Sequence, residues 1–375
     1  MPDKRIKIVY WLTDNNHARV FESFVEDERF EQVIVKQCHV TRTHNIKIKQ
    51  LFQYYGTNVA SAITILKPDV FVQTTDSIDA RKHLKKNNIK HVYLMHGLWA
   101  PKSSKSYALS SNQFWTDYDL LCGGTKRFRD LFEGKTSANI VTNTLTQFDI
   151  LYDRMQNQHE IRKNLLQKSK VPEAKKIITL FGHNIKARDS LLPYHEGYFR
   201  SAIKLAILAK KYNWLLCIKT KAPWARGNKY IIGNVKKFDW AKDMCKQYTD
   251  LRNNKNVIIV GEHDDQYDLF CSDVIVSTAH STVEIESILV DKPLVRVCTI
   301  RNKATEEYEN EILDRGVAYI VDDIDKLEET VILAMSEDNK EIKQNREKFI
   351  EHLGLTCDGN AHIRVLDAIL DIYYN

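Results

Sequence analysis

The sequence predicts an α/β protein made of two doubly wound parallel sheets. Three observations carry that expectation. Short β-branched and aromatic runs alternate with helical stretches from Ile6 to Val321. A polar, charge-rich stretch broken by Pro172, residues 151–176, divides this alternation into two halves. The segment from Val257 to Val297 reads strand, short helix, strand, tight turn, helix, strand, which is the repeating unit of a sheet that binds ligands at the carboxyl ends of its strands.

In chain order, Ile6 to Leu12 (IKIVYWL) predicts the first strand, followed by a turn at Thr13 to His17 and a helix from His17 to Val25. That turn lacks the glycine fingerprint of a dinucleotide loop, so no nicotinamide site is expected there. Gln32 to Val35 predicts a strand and Ile48 to Leu66 one helix, ended by Lys67-Pro68. Asp69 to Gln73, His91 to Met95, Tyr118 to Cys122 and Asn139 to Thr142 predict further strands, with helices at Ile78 to Lys86 and from Lys126 to Phe132. The second half starts with the strand Ile177 to Phe181, then a helix His195 to Lys211, a strand Trp214 to Ile218 and a helix Lys236 to Tyr248. Within the segment described above, the strands are Val257 to Val260, Asp273 to Ser277 and Leu294 to Val297, with a short helix from Asp264 to Phe270. A strand at Val317 to Val321 and helices near Thr305 to Leu313, Ile324 to Ala334, Lys340 to Leu353 and Ala361 to Tyr374 complete the chain. Domains are expected over residues 1–150 and 177–375, with 151–176 as the junction and the final helix free to return to the first domain.

Composition narrows the function classes. At 375 residues with 43% hydrophobic and 28% charged residues, the chain is long enough for two cores and too apolar for extended disorder. A net charge of +6 is a mild basic excess that suits anionic substrates and does not by itself argue for nucleic acid. The seven cysteines are scattered without a C-x-x-C pair, as reduced thiols of a cytoplasmic protein would be. The chain opens on a strand and has no apolar run of spanning length, so neither a signal peptide nor a membrane span is expected.

Several strand ends carry chemistry. The turn Thr278-Ala279-His280 leads into Ser281-Thr282-Val283-Glu284, an S-x-x-E capping pattern. Free N–H groups at a helix start, with the helix dipole and two hydroxyls, make an anion site; alternatively Ser281 and Glu284 only cap the helix. The strand His91 to Met95 runs into His96-Gly97, where a histidine can take a proton from a hydroxyl and a glycine lets a ligand approach the backbone; a loop histidine beside a turn glycine is the plainer reading. The loop beyond carries Lys102 and Lys105. Gly123-Gly124-Thr125 is either a second anion cradle or a tight turn. Lys219 and Lys221 alternate at a strand end, where they either face a diphosphate or form a solvated edge.

These residues resemble those of the CDP-glycerol glycerophosphotransferase family, which builds teichoic acid chains on the two-domain GT-B architecture. The likeness lies in Tyr93 to Gly97, in WTDYDLLCGGTKRFRDLF at Trp115 to Phe132, in YDLFCSDVIVSTAHSTVEIESILVDKP at Tyr267 to Pro293, and in Asp358-Gly359-Asn360-Ala361. It implies two Rossmann-like domains facing a cleft, the first on the acceptor side and the second binding a nucleotide-diphosphate donor. It further implies His96 as general base, with Gly97 and Lys102 on the acceptor side. His280, Ser281, Thr282, Lys219, Lys221, Asn184 and Asp358 would surround the donor phosphates. No cofactor or obligatory metal is implied, since these donors stabilise the leaving nucleotide. The sequence departs from the family pattern around the donor, with Lys219-Thr220-Lys221 in place of His-Pro, Ala279-His280 in place of Asp-Tyr, and Phe181-Gly182-His183-Asn184 in place of Pro-Thr-Trp. The transferred group is therefore a sugar or a phosphoalditol.

Two other readings stand beside this one. A UDP-N-acetylglucosamine 2-epimerase-like enzyme shares the architecture, with Glu284 or Glu286 on the ribose, although its Gly-Gly turn is missing here. A non-catalytic nucleotide-binding protein is the third. For a transferase, the partners would be the activated donor and a polymeric or lipid-linked hydroxyl acceptor, with no nucleic acid; Lys82, Lys85, Lys86, Lys102 and Lys105 would suit an anionic inner-membrane face.

Overall fold

The structure is a computed structural model that describes residues 5–15, 17–41, 43, 45–55, 59–74, 78–95, 117–182, 192–219, 246–260, 265–278, 281–298, 312, 314–336 and 339–375. The chain forms two compact units, Met1–Tyr152 with Glu351–Asn375, and Asp153–Ile350.

The first unit is built on a seven-stranded parallel sheet: β1 Ile6–Leu12, β2 Phe30–Gln37, β3 Gln50–Tyr54, β4 Val70–Gln73, β5 Lys90–Leu94, β6 Leu120–Cys122 and β7 Asn139–Val141, in the order β3-β2-β1-β4-β5-β6-β7. Its central strand is apolar on both faces because both are covered. Ile6, Ile8, Tyr10 and Leu12 pack with Phe21, Phe24 and the final helix. Val9 and Trp11 point the other way, against Val33, Phe71, Ile63 and Leu84.

The final helix, Ala361–Tyr374, belongs to this unit and buries Val365, Leu366, Ile369 and Ile372 on the sheet. An isolated helix of this length is marginal, and burial of side chains of this size contributes on the order of 1.5–3 kcal/mol each as an upper figure. Asp149 fixes its start, accepting hydrogen bonds from the backbone N–H groups of Ala361 (2.8 Å) and His362 (2.9 Å) and lying 2.8 Å from His362 Nδ1.

The second unit repeats the plan with six parallel strands: β8 Ile177–Phe181, β9 Leu215–Lys219, β10 Val257–Val260, β11 Val274–Ser277, β12 Leu294–Val297 and β13 Tyr319–Val321, ordered β10-β9-β8-β11-β12-β13. Ile178 and Leu180 of β8 pack in one core with Phe199, Ala202 and Leu205 of the helix Leu192–Tyr212 and with Leu327 and Val331 of the helix Leu327–Ser336. In each sheet the strand order reverses beside the first strand, at β1/β4 and at β8/β11, and such switch points are where open α/β sheets bind ligands.

Three aspartates use one device to set register. Asp69, Asp119 and Asp273 precede β4, β6 and β11, and each accepts the backbone N–H of the neighbouring strand: Lys7 at 2.9 Å, His91 at 2.7 Å and Ile177 at 2.7 Å. Asp273 is also paired with Arg162 at 2.9 Å.

Two sequence expectations are corrected. Ile48 to Leu66 is not one helix: Gln50–Tyr54 is β3, paired in parallel with β2 from Val33↔Gln50 to Gln37↔Tyr54, and the described helix is Val59–Leu66. The open edge of β2 satisfies its backbone groups by recruiting this segment, and Tyr54 packs edge-on against Trp11 at 5.6 Å. Asp264 to Phe270 is not an α-helix either; a 3₁₀ turn occupies Tyr267–Cys271. The expected helices Lys236 to Tyr248 and Thr305 to Leu313 fall wholly or mostly outside the described residues. Among the described residues the cysteines are free thiols, with Cys122, Cys217 and Cys271 buried, and no helix is long and apolar enough to cross a membrane.

His91 gives a pH test of the first unit. It is 2% exposed and stacked on Tyr118 at 4.1 Å, and burial, against a smaller upward pull from the Asp117 backbone and with Arg81 adding to the effect, pushes its pKa down to about 3. The unfolded chain therefore binds this proton first, so stability is complete above the ordinary value of 6.5 and is lost as pH falls towards about 3. Between about pH 7 and about pH 5 this residue should cost roughly 2 kcal/mol, read from urea midpoints, and His91→Phe should remove that part of the slope. An unchanged slope in the variant would show that His91 is protonated in the fold.

Candidate functional site

The candidate site lies at the β8/β11 switch point. β11 ends at Ser277, and Thr278 opens the turn. Ser281 has extended backbone (φ −146°, ψ 155°) and is the N-cap of the helix Thr282–Leu289. The capping box does not form on the serine side: the Ser281 hydroxyl makes no capping hydrogen bond. Ser281 and Thr282 are half-buried, and the helix start offers their hydroxyls together with backbone N–H groups. Thr278 is 4% exposed, and its hydroxyl has no hydrogen-bond partner among the described residues. A buried hydroxyl at a strand end is a hydrogen-bonding group placed where open α/β sheets bind ligands.

Behind the turn, Glu284 and Arg296 form a buried ion pair, their side chains 1% and 3% exposed. Burial pushes the Glu284 pKa up, while Arg296 and hydrogen bonds from Ser277 and Ser281 oppose it. Ser277 and Arg296 are register partners on β11 and β12, so the carboxylate closes over a strand pair. The sequence reading offered Glu284 to a ribose; in the structure its carboxylate faces protein groups and is withheld from solvent. Glu286 is also buried and accepts the Tyr267 hydroxyl at 3.2 Å.

On the other flank of β8, the β8/β9 ladder continues, and the Lys219 carbonyl accepts the Gly182 N–H at 3.0 Å. A Cβ on Gly182 would stand 3.1 Å from the Tyr198 ring and 3.2 Å from that carbonyl, so the close approach of the two strand ends favours glycine. Lys219 itself is 8% exposed, as the last residue of β9. Lys221, Asn184 and His280 lie outside the described residues, as do His96, Gly97 and Lys102 beyond β5.

Two other predicted places have partners within the protein. At Gly123-Gly124-Thr125 the Thr125 hydroxyl accepts the Phe128 N–H at 3.3 Å, and the space beside Gly123 is filled by the Phe128 ring, 2.1 Å from where a Cβ would stand. It is a tight turn, not a cradle. Asp358 lies in the first unit, where a two-pronged pair with Arg364 (2.9 and 3.0 Å) holds its carboxyl below the usual range. That carboxylate organises the turn before the final helix, with Gly359 at φ +76° beneath the Tyr152 ring.

One polar pair escaped the sequence reading. At the β1/β4 switch point, His17 Nδ1 lies 3.0 Å from the Thr74 hydroxyl, both buried. The available signal was a histidine just after the first strand and a threonine just after the fourth. Among the described residues no three His, Cys, Asp or Glu side chains gather as metal ligands.

No protein-family model matches the chain, and no curated protein matches it. Solved structures do. The wall teichoic acid polymerase TagF aligns with a TM-score of 0.66 at 14% identity, covering 99% of this chain and 89% of that one. UDP-GlcNAc 2-epimerase from Neisseria meningitidis, bound to UDP-GlcNAc, aligns at 0.54 and 15% identity over 93% and 99%. A glycosyltransferase from Rickettsia africae aligns at 0.54 and 13% identity over 99% and 100%. The fold is GT-B-like. At these identities the likeness is one of fold, shared by enzymes of different chemistry.

Because the Ser281 hydroxyl does not cap, Ser281→Ala should change the urea midpoint by less than about 0.5 kcal/mol, against ~1 kcal/mol for loss of a working serine cap. A loss of the larger size would mean that the hydroxyl caps the helix in solution.

Proposed function

We propose that this chain is a transferase that takes a glycerophosphate or glycosyl group from a nucleotide-activated donor to a hydroxyl of a cell-surface polymer or lipid-linked acceptor. The observation that carries this reading is the set of hydroxyls at the β8/β11 switch point, with Thr278 unpartnered and Ser281 released from capping. In this reading the donor diphosphate accepts hydrogen bonds from the Ser281 and Thr282 hydroxyls and from the N–H groups at the helix start. Those donors are strongest where charge grows on the departing nucleotide, so they lower the barrier rather than only holding the substrate. Lys219 lies at the end of β9, and Lys221, Asn184 and His280 follow the strand ends in sequence. His96 is the proposed base, removing the acceptor proton as its oxygen attacks. The exposed lysines of the helix Ile78–Lys86 would face an anionic membrane carrying a lipid-linked acceptor.

An epimerase is the second reading, favoured by the near end-to-end alignment with UDP-GlcNAc 2-epimerase. Acceptor dependence separates the two. A transferase releases nucleotide in proportion to acceptor, whereas an epimerase converts its nucleotide sugar with none present.

The test is a thermal-shift panel of CDP-glycerol, CDP-ribitol, CMP- and UDP-linked sugars, CDP and UDP. It is run on the wild type and on Ser281→Ala combined with Thr282→Ala. One nucleotide class should raise the melting temperature, and the double variant should lose the shift. No shift with any of them would sink the proposal. With the donor in hand, His96→Ala should lower turnover by about 10²–10⁴ while nucleotide binding is kept.

A further inference from the structure

At a sheet edge, backbone N–H and C=O groups are left without a ladder partner and invite another strand. Among the described residues the edge strands are β3 and β7 in the first unit, and β10 and β13 in the second. Three of these edges are short: β7 and β13 run for three residues and β10 for four. Two of them also carry charge. Arg129 donates to the Ile140 carbonyl of β7 at 3.4 Å, and Asp322 and Asp323 follow β13 at once.

β3 has none of these protections. It is five residues long, and all but Tyr54 are exposed. From Gln50 to Tyr55 the chain carries neither a charge nor a proline, the residues that usually blunt an edge. Phe52 is 51% exposed and Tyr55 is 78% exposed. β2 pairs with one side of β3 along its whole length, from Val33↔Gln50 to Gln37↔Tyr54. No strand pairs with the other side among the described residues.

The residues of this edge complement one another. Alternate side chains of a strand share a face. Gln50, Phe52 and Tyr54 therefore lie on the face of Trp11, against which Tyr54 packs, and Leu51 and Gln53 lie on the opposite face. Pairing β3 antiparallel with a second copy, across a two-fold axis at Phe52, sets Phe52 against its own counterpart. The same register sets Leu51 against Gln53, Gln50 against Tyr54, and Lys49 against Tyr55. No charge then opposes a like charge, and ring meets ring at the axis. The Lys49 side chain, 83% exposed, meets the Tyr55 ring. The Lys49 backbone N–H donates to Glu26 at 3.0 Å, which fixes the start of the strand.

We propose that β3 is a self-association edge: two copies of this chain join through antiparallel β3 strands about Phe52, and the two seven-stranded sheets become one. A two-fold contact requires a patch that complements itself, and this one does. The strand is far shorter than the roughly 20–30 residues a side of a standard interface, so the dimer is a weak one, in the micromolar range.

The test is sedimentation velocity of the full chain from about 1 to 200 μM, which should show a monomer–dimer equilibrium. Phe52→Lys and Phe52→Glu each place like charges at the axis, and each should weaken the dimer by about tenfold or more. Far-UV dichroism should stay unchanged in both, because the side chain is half exposed. Mixed together, the two variants should associate, since opposite charges meet only between different copies. Ile320→Lys, on the edge strand β13, should leave the wild-type equilibrium as it is. A wild type that stays monomeric at the highest concentration would overturn the proposal and leave the edge to a strand of another protein. A dimer that survives Phe52→Lys, or that Ile320→Lys dissolves, would place the interface elsewhere. A mixture that stays monomeric would overturn the two-fold pairing about Phe52.

Discussion

Parallel strands that bury both faces impose one constraint on everything else in this protein. Each strand must be left and re-entered through a covering helix, and where successive crossovers change direction the strand order reverses and leaves a crevice. That reversal happens at β1/β4 in one unit and at β8/β11 in the other, and the polar groups that stand out in the structure gather at both places. His17 and Thr74 close on each other at the first; Thr278 and Ser281 belong to the second. The ends of the strands are where backbone groups run out of ladder partners, and there hydroxyls and N–H groups become available to a ligand.

The opposite ends of the strands are governed by charge. Asp69, Asp119 and Asp273 each accept a neighbouring strand's backbone N–H. A one-residue slip would carry each carboxylate away from its donor and turn every buried side chain to the wrong face. Glu284 and Arg296 do something different. Desolvating two charges is costly, and a buried pair is seldom the most stable choice for its space. Here the pair ties the first turn of the helix Thr282–Leu289 to β12.

Much of this was legible in the chain because burial on both faces leaves a plain mark. β1, β8 and β11 are unbroken apolar runs, and the stretch from Val257 to Val297 declared its strand–turn–helix plan through Asp273, Ser281 and Pro293. The strand β3 was not legible. Gln50–Tyr54 is largely exposed, so it carries no apolar alternation, and only Gly56 within the expected helix argued against that helix. Its state was decided by the open edge of β2, a partner distant in sequence.

The same division runs through the site. The sequence by itself determined that there are two parallel sheets, that a hydroxyl-rich stretch follows β11, and that a helix starts just after Ser281, because periodicity and helix-start patterns are local properties of neighbouring residues. It could not decide what Glu284 faces, since a glutamate in the first turn of a helix satisfies a ribose, a cap or an ion pair equally well. Only the tertiary structure decided that, by bringing Arg296 of β12 beside Ser277 of β11 and burying the carboxylate between them. It also decided that Asp358 serves Arg364 and that Gly123 makes room for Phe128, because a side chain's partner is set by what the fold places next to it.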